Sequence, residues 1–153
     1  MESREPFQLN LPLERRALVL IVEDDHDTQT VLSHFLSINE YDVLCAGTGR
    51  EALTIIENEP NLDIILLDVF VPGIGGIEVL SRAKRFDPYL NIIMMTALGD
   101  REIAHRALEL GAFDCLLKPL DLTQLEATLI ASLSHSEYRK QSWWKRLILD
   151  PAA

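Results

Sequence analysis

Cysteine is scarce: only Cys45 and Cys115 occur in the 153 residues. Both lie inside apolar runs, so the expectation is two buried free thiols, with neither a disulfide framework nor a zinc site. Long apolar runs are missing as well, none approaching the roughly 18 residues that a membrane span needs. The polar start, with Glu2 and Glu5, does not read as a secretory signal. These shortages point to a cytoplasmic protein. Positive charge is short too: 14 Lys and Arg face 24 Asp and Glu, for a net charge of −10. Such a surface disfavours direct binding to nucleic acid or anionic membranes and suits a protein that holds a divalent cation. Gly73, Gly75 and Gly76 resemble neither a P-loop nor a dinucleotide loop, and read as shaping one turn. What is present is ample core material, with 48% hydrophobic residues against 25% charged, enough for one ordinary domain.

The apolar residues fall into a regular alternation. Residues 1–15, with Pro6, Pro12 and mixed charges, read as an N-terminal arm. Ala17–Val22 is a continuous apolar run, the mark of a strand buried on both faces. Val31, Leu32, Phe35 and Leu36 then recur at helical spacing, with Asp27 as candidate N-cap. Tyr41–Ala46 is a second strand. Thr48 caps a helix carrying Ala52, Leu53, Ile55 and Ile56, which stops at Pro60. Leu62–Leu67 is the third strand, and a helix with Ile77, Leu80 and Ala83 runs to Asp87-Pro88. Asn91–Met95 and Phe113–Leu117 are the fourth and fifth, separated by a helix from about Asp100 to Leu110. A last helix, capped by Asp121, carries Leu122, Leu125, Leu129 and Leu133 along one side. Five strands alternating with five helices predict a doubly wound (βα)₅ domain over residues 16–133, a parallel sheet with helices on both faces.

In such a sheet, ligands bind beyond the carboxyl ends of the strands. The first strand ends in Glu23-Asp24-Asp25, the third in Asp68, the fourth in Thr96 and the fifth in Lys118-Pro119. Crowded carboxylates repel one another, and a hard divalent cation relieves this. Carboxylate and water oxygens suit Mg²⁺, with Mn²⁺ as a substitute. A lysine and a threonine beside that metal make sense if a phosphoryl group arrives to share its oxygens among them. Aspartate is a competent nucleophile for an acyl phosphate, and Asp68 stands alone at the end of a central strand. Singly, each residue has a bland explanation: a solvated acidic loop, a strand-end cap, a surface lysine. Jointly, at four strand ends, they do not.

Val22-Glu23-Asp24-Asp25, Leu67-Asp68 with Val71-Pro72-Gly73 and Gly76, Met95-Thr96-Ala97, and Leu117-Lys118-Pro119 together resemble the receiver domain of two-component response regulators, over residues 17–133. The resemblance implies a flavodoxin-like fold with strand order 2-1-3-4-5. It implies that Asp68 is the phosphoacceptor and that Mg²⁺ is held by Glu23, Asp24, Asp68 and the backbone carbonyl of Phe70. Thr96 and Lys118 would bind phosphoryl oxygens, with Ala97 and a cis Lys118-Pro119 peptide supporting them. The donor would be a phosphohistidine on a sensor kinase or histidine phosphotransfer protein, and output would be binding to a downstream protein. The chain would assist its own phosphorylation and dephosphorylation without being a multiple-turnover enzyme. Receivers usually carry Tyr or Phe three residues before the lysine. Here that position is Cys115, with Phe113 two residues earlier on the same strand face. Phe70 and Leu98, two residues after the acceptor and after the threonine, flank the approach of a hydrolytic water. Neither can orient one, so the phosphorylated state should be long-lived.

Other functional classes fit less well. A hydrolase of the aspartyl-phosphate class needs an acid two residues after the nucleophile, where this chain has Phe70. A flavin carrier needs a hydroxyl- and amide-rich loop after the first strand, where this chain has Glu-Asp-Asp. Asp25 either supports the site or caps a turn, and His26, His34, His105 and His135 lack metal-ligand spacing. Residues around 101–133, with Arg101, Arg106 and Glu109 exposed, match the family's usual output surface. After residue 133 too little chain remains for an output domain, so the reading is a stand-alone receiver. The tail, 134–153, places Arg139, Lys140, Lys145 and Arg146 against Glu137 and Asp150. As a helix it would gather Trp144, Leu147 and Ile148 on one face with Lys140. Packing back on the domain, or a linker role, is favoured over membrane contact.

Overall fold

The computed structural model describes residues 16–97 and 99–149, and side chains as far as His135. The expected arm, Leu98, and the tail side chains of Lys140, Trp144, Leu147 and Ile148 lie outside the described residues. The elements are β1 (Leu18–Val22), α1 (His26–Ile38), β2 (Asp42–Ala46), α2 (Gly49–Asn58), β3 (Leu62–Asp68), α3 (Gly76–Phe86), β4 (Asn91–Ala97), α4 (Arg101–Glu109), β5 (Asp114–Lys118) and α5 (Leu122–Leu149). The strands form one parallel sheet in the order β2-β1-β3-β4-β5, the doubly wound arrangement expected. No described helix is long and apolar enough to cross a membrane.

The central strands are apolar throughout because both of their faces are covered. Val19, Ile21, Ile64, Leu66, Ile93 and Met95 pack against Leu32 and Leu36 of α1 and Leu125 and Leu129 of α5. The alternate residues, Leu20, Val22, Ile65, Leu67, Ile92 and Met94, pack against α2, α3 and α4 through Ala52, Ile56, Val79, Leu80, Ala83 and Ala107. Each large side chain so buried contributes roughly 1.5–3 kcal/mol relative to exposure. The strands are therefore stiff posts, and their polar ends are held from below.

Edges behave differently. β2 has one neighbour, and Cys45 on it is exposed beside Ser33, with 3.3 Å between Sγ and Oγ, not buried as expected. Cys115, on the other edge strand, is half-buried. Phe113 does not share a face with Cys115. It precedes β5, so the strand's alternation does not reach it, and it packs with Leu116 and Leu133 on the α1/α5 side and against the His135 ring. Cys115 packs on the opposite side.

Side-chain caps start α1, α2 and α5, whereas α3 and α4 begin without one. The cap of α1 is Asp25, not Asp27: its carboxylate accepts from Thr28 N at 3.2 Å and from Thr28 Oγ1 at 2.5 Å. Asp27 lies in the first turn, where its charge favours the helix dipole. With Leu32 and Leu36 aimed at the sheet, Val31 is turned aside and exposed, as is Leu122 at the start of α5. Thr48 caps α2 by accepting from Glu51 N at 3.1 Å, and Asp121 accepts from Thr123 N and Gln124 N at 2.9 and 3.2 Å. Helix α5 continues unbroken from Leu122 to Leu149. His26, His34, His105 and His135 are all exposed, as are Arg101, Arg106 and Glu109.

Candidate functional site

The chain enters β1, turns one way to β2, then returns to the other side of β1 for β3. This reversal opens a crevice beyond the carboxyl ends of β1 and β3. Register sets what stands there. Val22 pairs with Leu67, so the next residues, Glu23 and Asp68, come side by side. Asp68 pairs with Met95, and Thr96 with Leu117, which brings Thr96 and Lys118 to the same rim.

Carboxylate oxygens of Glu23, Asp24 and Asp68 all lie within 4.8 Å of one another. Glu23 and Asp68 are buried and Asp24 is exposed. Lys118 Nζ lies 2.6 Å from Glu23 Oε2 and 2.5 Å from Asp68 Oδ2. Asp68 Oδ1 accepts from Phe70 N at 2.9 Å. The Lys118-Pro119 peptide is cis. Thr96 is fully buried, and its hydroxyl has no hydrogen-bond partner among the described residues. A native fold rarely leaves such a group unsatisfied without a reason.

The charges are strongly linked. Burial, and then the neighbouring Asp68 carboxyl, push the Glu23 carboxyl above the usual range, with the Lys118 ammonium working against them. Burial pulls Lys118 down, but hydrogen bonds and charge from Asp68 and Glu23 outweigh it and the net shift is upward. The lysine is thus a fixed cation that two carboxylates compete for. Asp25 stands apart from this set. Hydrogen bonds from the Thr28 hydroxyl and amide hold its carboxyl low, and its function in the fold is to cap α1.

The donor set fits a small hard cation. Three carboxylates converge, one of them open to solvent, and hard cations prefer such oxygens. It also fits a phosphoryl group, because the ammonium and the orphaned hydroxyl can both donate to its oxygens. Ala97, beside Thr96, is small and exposed, which leaves the rim open. Phe70 is 60% exposed at the same rim. Leu98, its expected companion, lies outside the described residues.

Of two further contributors, Gly76 was expected only as a turn glycine of the motif and Gln29 was not foreseen at all. Gly76, at the start of α3, packs so close to β3 that a Cβ there would sit 2.3 Å from Asp68 O, and Gly76 N donates to Val69 O at 2.9 Å. Gln29, from the second turn of α1, donates through Nε2 to Glu23 O at 2.7 Å and Ala46 O at 3.3 Å. Glycine clustering hinted at the first; nothing in the spacing hinted at the second.

The fold and this constellation define a receiver of the two-component type. A family model described as response regulator receiver domain matches residues 19–130, and the chain belongs to that family. It is 35% identical over 107 residues to sporulation initiation phosphotransferase F of Bacillus subtilis, covering 70% of this chain and 86% of that protein. It is 34% identical over 131 residues to a cyclic di-GMP phosphodiesterase of Thermotoga maritima, covering 84% of this chain but 35% of that protein. The chain thus spans about a third of this longer relative. Among solved structures, a CheY-like receiver domain protein from Methanospirillum hungatei superposes with a TM-score of 0.77 at 29% identity, over 82% of this chain and 99% of that one. Receivers are signalling domains of two-component phosphorelays, and this chain is one of them.

Proposed function

We propose that the chain accepts a phosphoryl group on Asp68 from a phosphohistidine of a partner kinase or phosphotransfer protein, and signals by phosphorylation-dependent protein binding. The observation that carries this reading is the buried Thr96 hydroxyl without a partner, at the same rim as an ammonium held between Glu23 and Asp68. The hydroxyl is a donor without an acceptor, and the ammonium, now shared by two carboxylates, is placed to turn to a phosphoryl oxygen. An Asp68 carboxylate oxygen forms the new bond to phosphorus while the phosphorus–nitrogen bond breaks and its electron pair returns to the imidazole. Lys118 moves its hydrogen bond from Asp68 Oδ2 to a phosphoryl oxygen, and Thr96 donates to another. Glu23, Asp24, Asp68 and the Phe70 carbonyl would hold Mg²⁺, or Mn²⁺ in its place. The ion would supply the positive charge that offsets the incoming phosphoryl oxygens.

The chain assists this one transfer and its reversal; it is not a multiple-turnover enzyme on an external substrate. Phe70 offers a water nothing to bond to, which favours a long-lived acyl phosphate ended by a partner phosphatase or by back-transfer. The test is incubation with a small acyl phosphate and Mg²⁺, read by intact mass. The parent gains one phosphoryl group. The nearly isosteric Asp68→Asn gains none, and Asp24→Ala gains none at millimolar Mg²⁺. Stoichiometric labelling of Asp68→Asn would place the acceptor elsewhere.

A further inference from the structure

Asp24 is the exposed member of the carboxylate trio, and among the described residues its side chain has no hydrogen bond or ion pair. Its direction must therefore come from its backbone. The last ladder pair between β1 and β2 is Val22 with Ala46, and Glu23 N still reaches Ala46 O at 3.0 Å. Beyond that point the strands part. β2 turns into Gly47 and Thr48, the cap of α2, and no longer offers an amide to the Glu23 carbonyl. Glu23 is 2% exposed, so water is a poor substitute. The Gln29 side-chain amide fills the gap with its bond of 2.7 Å to Glu23 O, and its second contact, at 3.3 Å, ties the same amide to Ala46 O. One side chain thus clamps the ends of two strands.

We infer that Gln29 is a positioning residue for the cation site: by clamping the Glu23–Asp24 peptide it fixes where the Asp24 carboxylate points. The carbonyl it holds belongs to the peptide that leads into Asp24, so rotation of that plane swings the Asp24 side chain. The far side of the turn is pinned independently. Asp25 N donates to Glu23 Oε1 at 3.2 Å, and the Asp25 carboxylate accepts from Thr28. Gln29 completes this set from α1, without touching the cation or the phosphoryl group. The inference rests on the reading of Glu23, Asp24 and Asp68 as cation ligands.

The experiment titrates Mg²⁺ into unphosphorylated protein and follows backbone amide resonances by NMR for the parent, Gln29→Met and Gln29→Glu. Gln29→Met keeps size and removes the donors. It is expected to raise the Mg²⁺ Kd about tenfold, which is ~1.4 kcal/mol, with labelling by a small acyl phosphate recovered at saturating Mg²⁺. Gln29→Glu also removes the donors but adds a negative charge. If charge alone mattered it would bind Mg²⁺ more tightly; positioning requires weaker binding. Parent-like affinity in Gln29→Met, or tighter binding in Gln29→Glu, overturns the inference. A parent with no Mg²⁺-dependent shifts overturns the underlying cation site instead. Should the variants fail to fold, the parent decides: its Gln29 side-chain amide resonances shift with the same Kd as the Asp24 amide, and an unmoved pair overturns the inference.

Discussion

Replacing Thr96 by Val should stabilise the unphosphorylated protein and blunt its response to phosphorylation. The Thr96 hydroxyl is fully buried and bonds to nothing among the described residues. A buried donor left unsatisfied costs about 1–3 kcal/mol. Valine keeps the branched shape and suits a central strand, so β4 loses no packing. Releasing that cost should raise the thermal midpoint by about 2–4 °C per kcal/mol in a chain of this size. After phosphorylation the sign reverses. The parent gains a hydrogen bond to a charged oxygen, worth roughly 1.5–3 kcal/mol, and the variant cannot. Urea unfolding without donor, and again with Mg²⁺ and a small acyl phosphate, measures both halves. Thr96→Val should be the more stable protein in the first condition and should gain less than the parent in the second. A variant less stable than the parent without donor would mean that the hydroxyl is already satisfied by a bound water. Equal gains in the second condition would remove Thr96 from phosphoryl binding.

Gly76→Ala should destabilise by about 1–3 kcal/mol, the usual cost of overpacking, because its Cβ would meet Asp68 O and the Val69 backbone, neither of which can yield. It should also slow labelling at Asp68, whereas Gly75→Ala, with open space around its Cβ, should do neither; thermal melts and intact mass check both. Glu23 has a raised carboxyl pKa, so the stability it contributes in metal-free protein is present below its ordinary value and lost as pH rises through the raised one. Compared with Glu23→Gln in EDTA, the parent should therefore lose ground in urea midpoint from pH 4.5 to 7.5, and a gain would contradict this sign. Phe70→Asn with Leu98→Glu should hasten loss of phosphate after donor removal by about tenfold, or ~1.4 kcal/mol in barrier. A parent that decays within seconds would refute the proposed shielding.

The sheet and the strand-end residues were legible because parallel strands buried on both faces leave unbroken apolar runs. Where LDIILL stops at Asp68 the unbroken apolar run stops too, although Val69 and Val71 beyond it are still buried, and a polar residue at that strand end faces the crevice. Strand position within the sheet is another matter. DVLCA and LDIILL look alike on paper, yet β2 is an edge and β3 is central, and Cys45 on the edge strand is exposed. Phe113 misled for a related reason. Period-two alternation holds only inside a strand, and β5 begins one residue later, so the ring crosses to the α1/α5 side. The position three residues before Lys118, where receivers usually hold an aromatic ring, is thus filled by a half-buried thiol, and Phe113 packs on the other side of the sheet.

Asp25 and Gln29 show where spacing stops being informative. Asp25 and Asp27 are both plausible caps, and the choice turns on where the chain leaves β1, which its hydrogen bonds to Thr28 decide. Gln29 is harder still. Its partners are two carbonyls on different strands, Glu23 and Ala46, that come together only because β1 and β2 pair and then diverge. Backbone acceptors carry no side-chain signature, so a residue that serves them leaves no motif. The chemistry of this site was therefore readable from its charged ends, while the means of aiming those charges came into view only once the strand pairing was known.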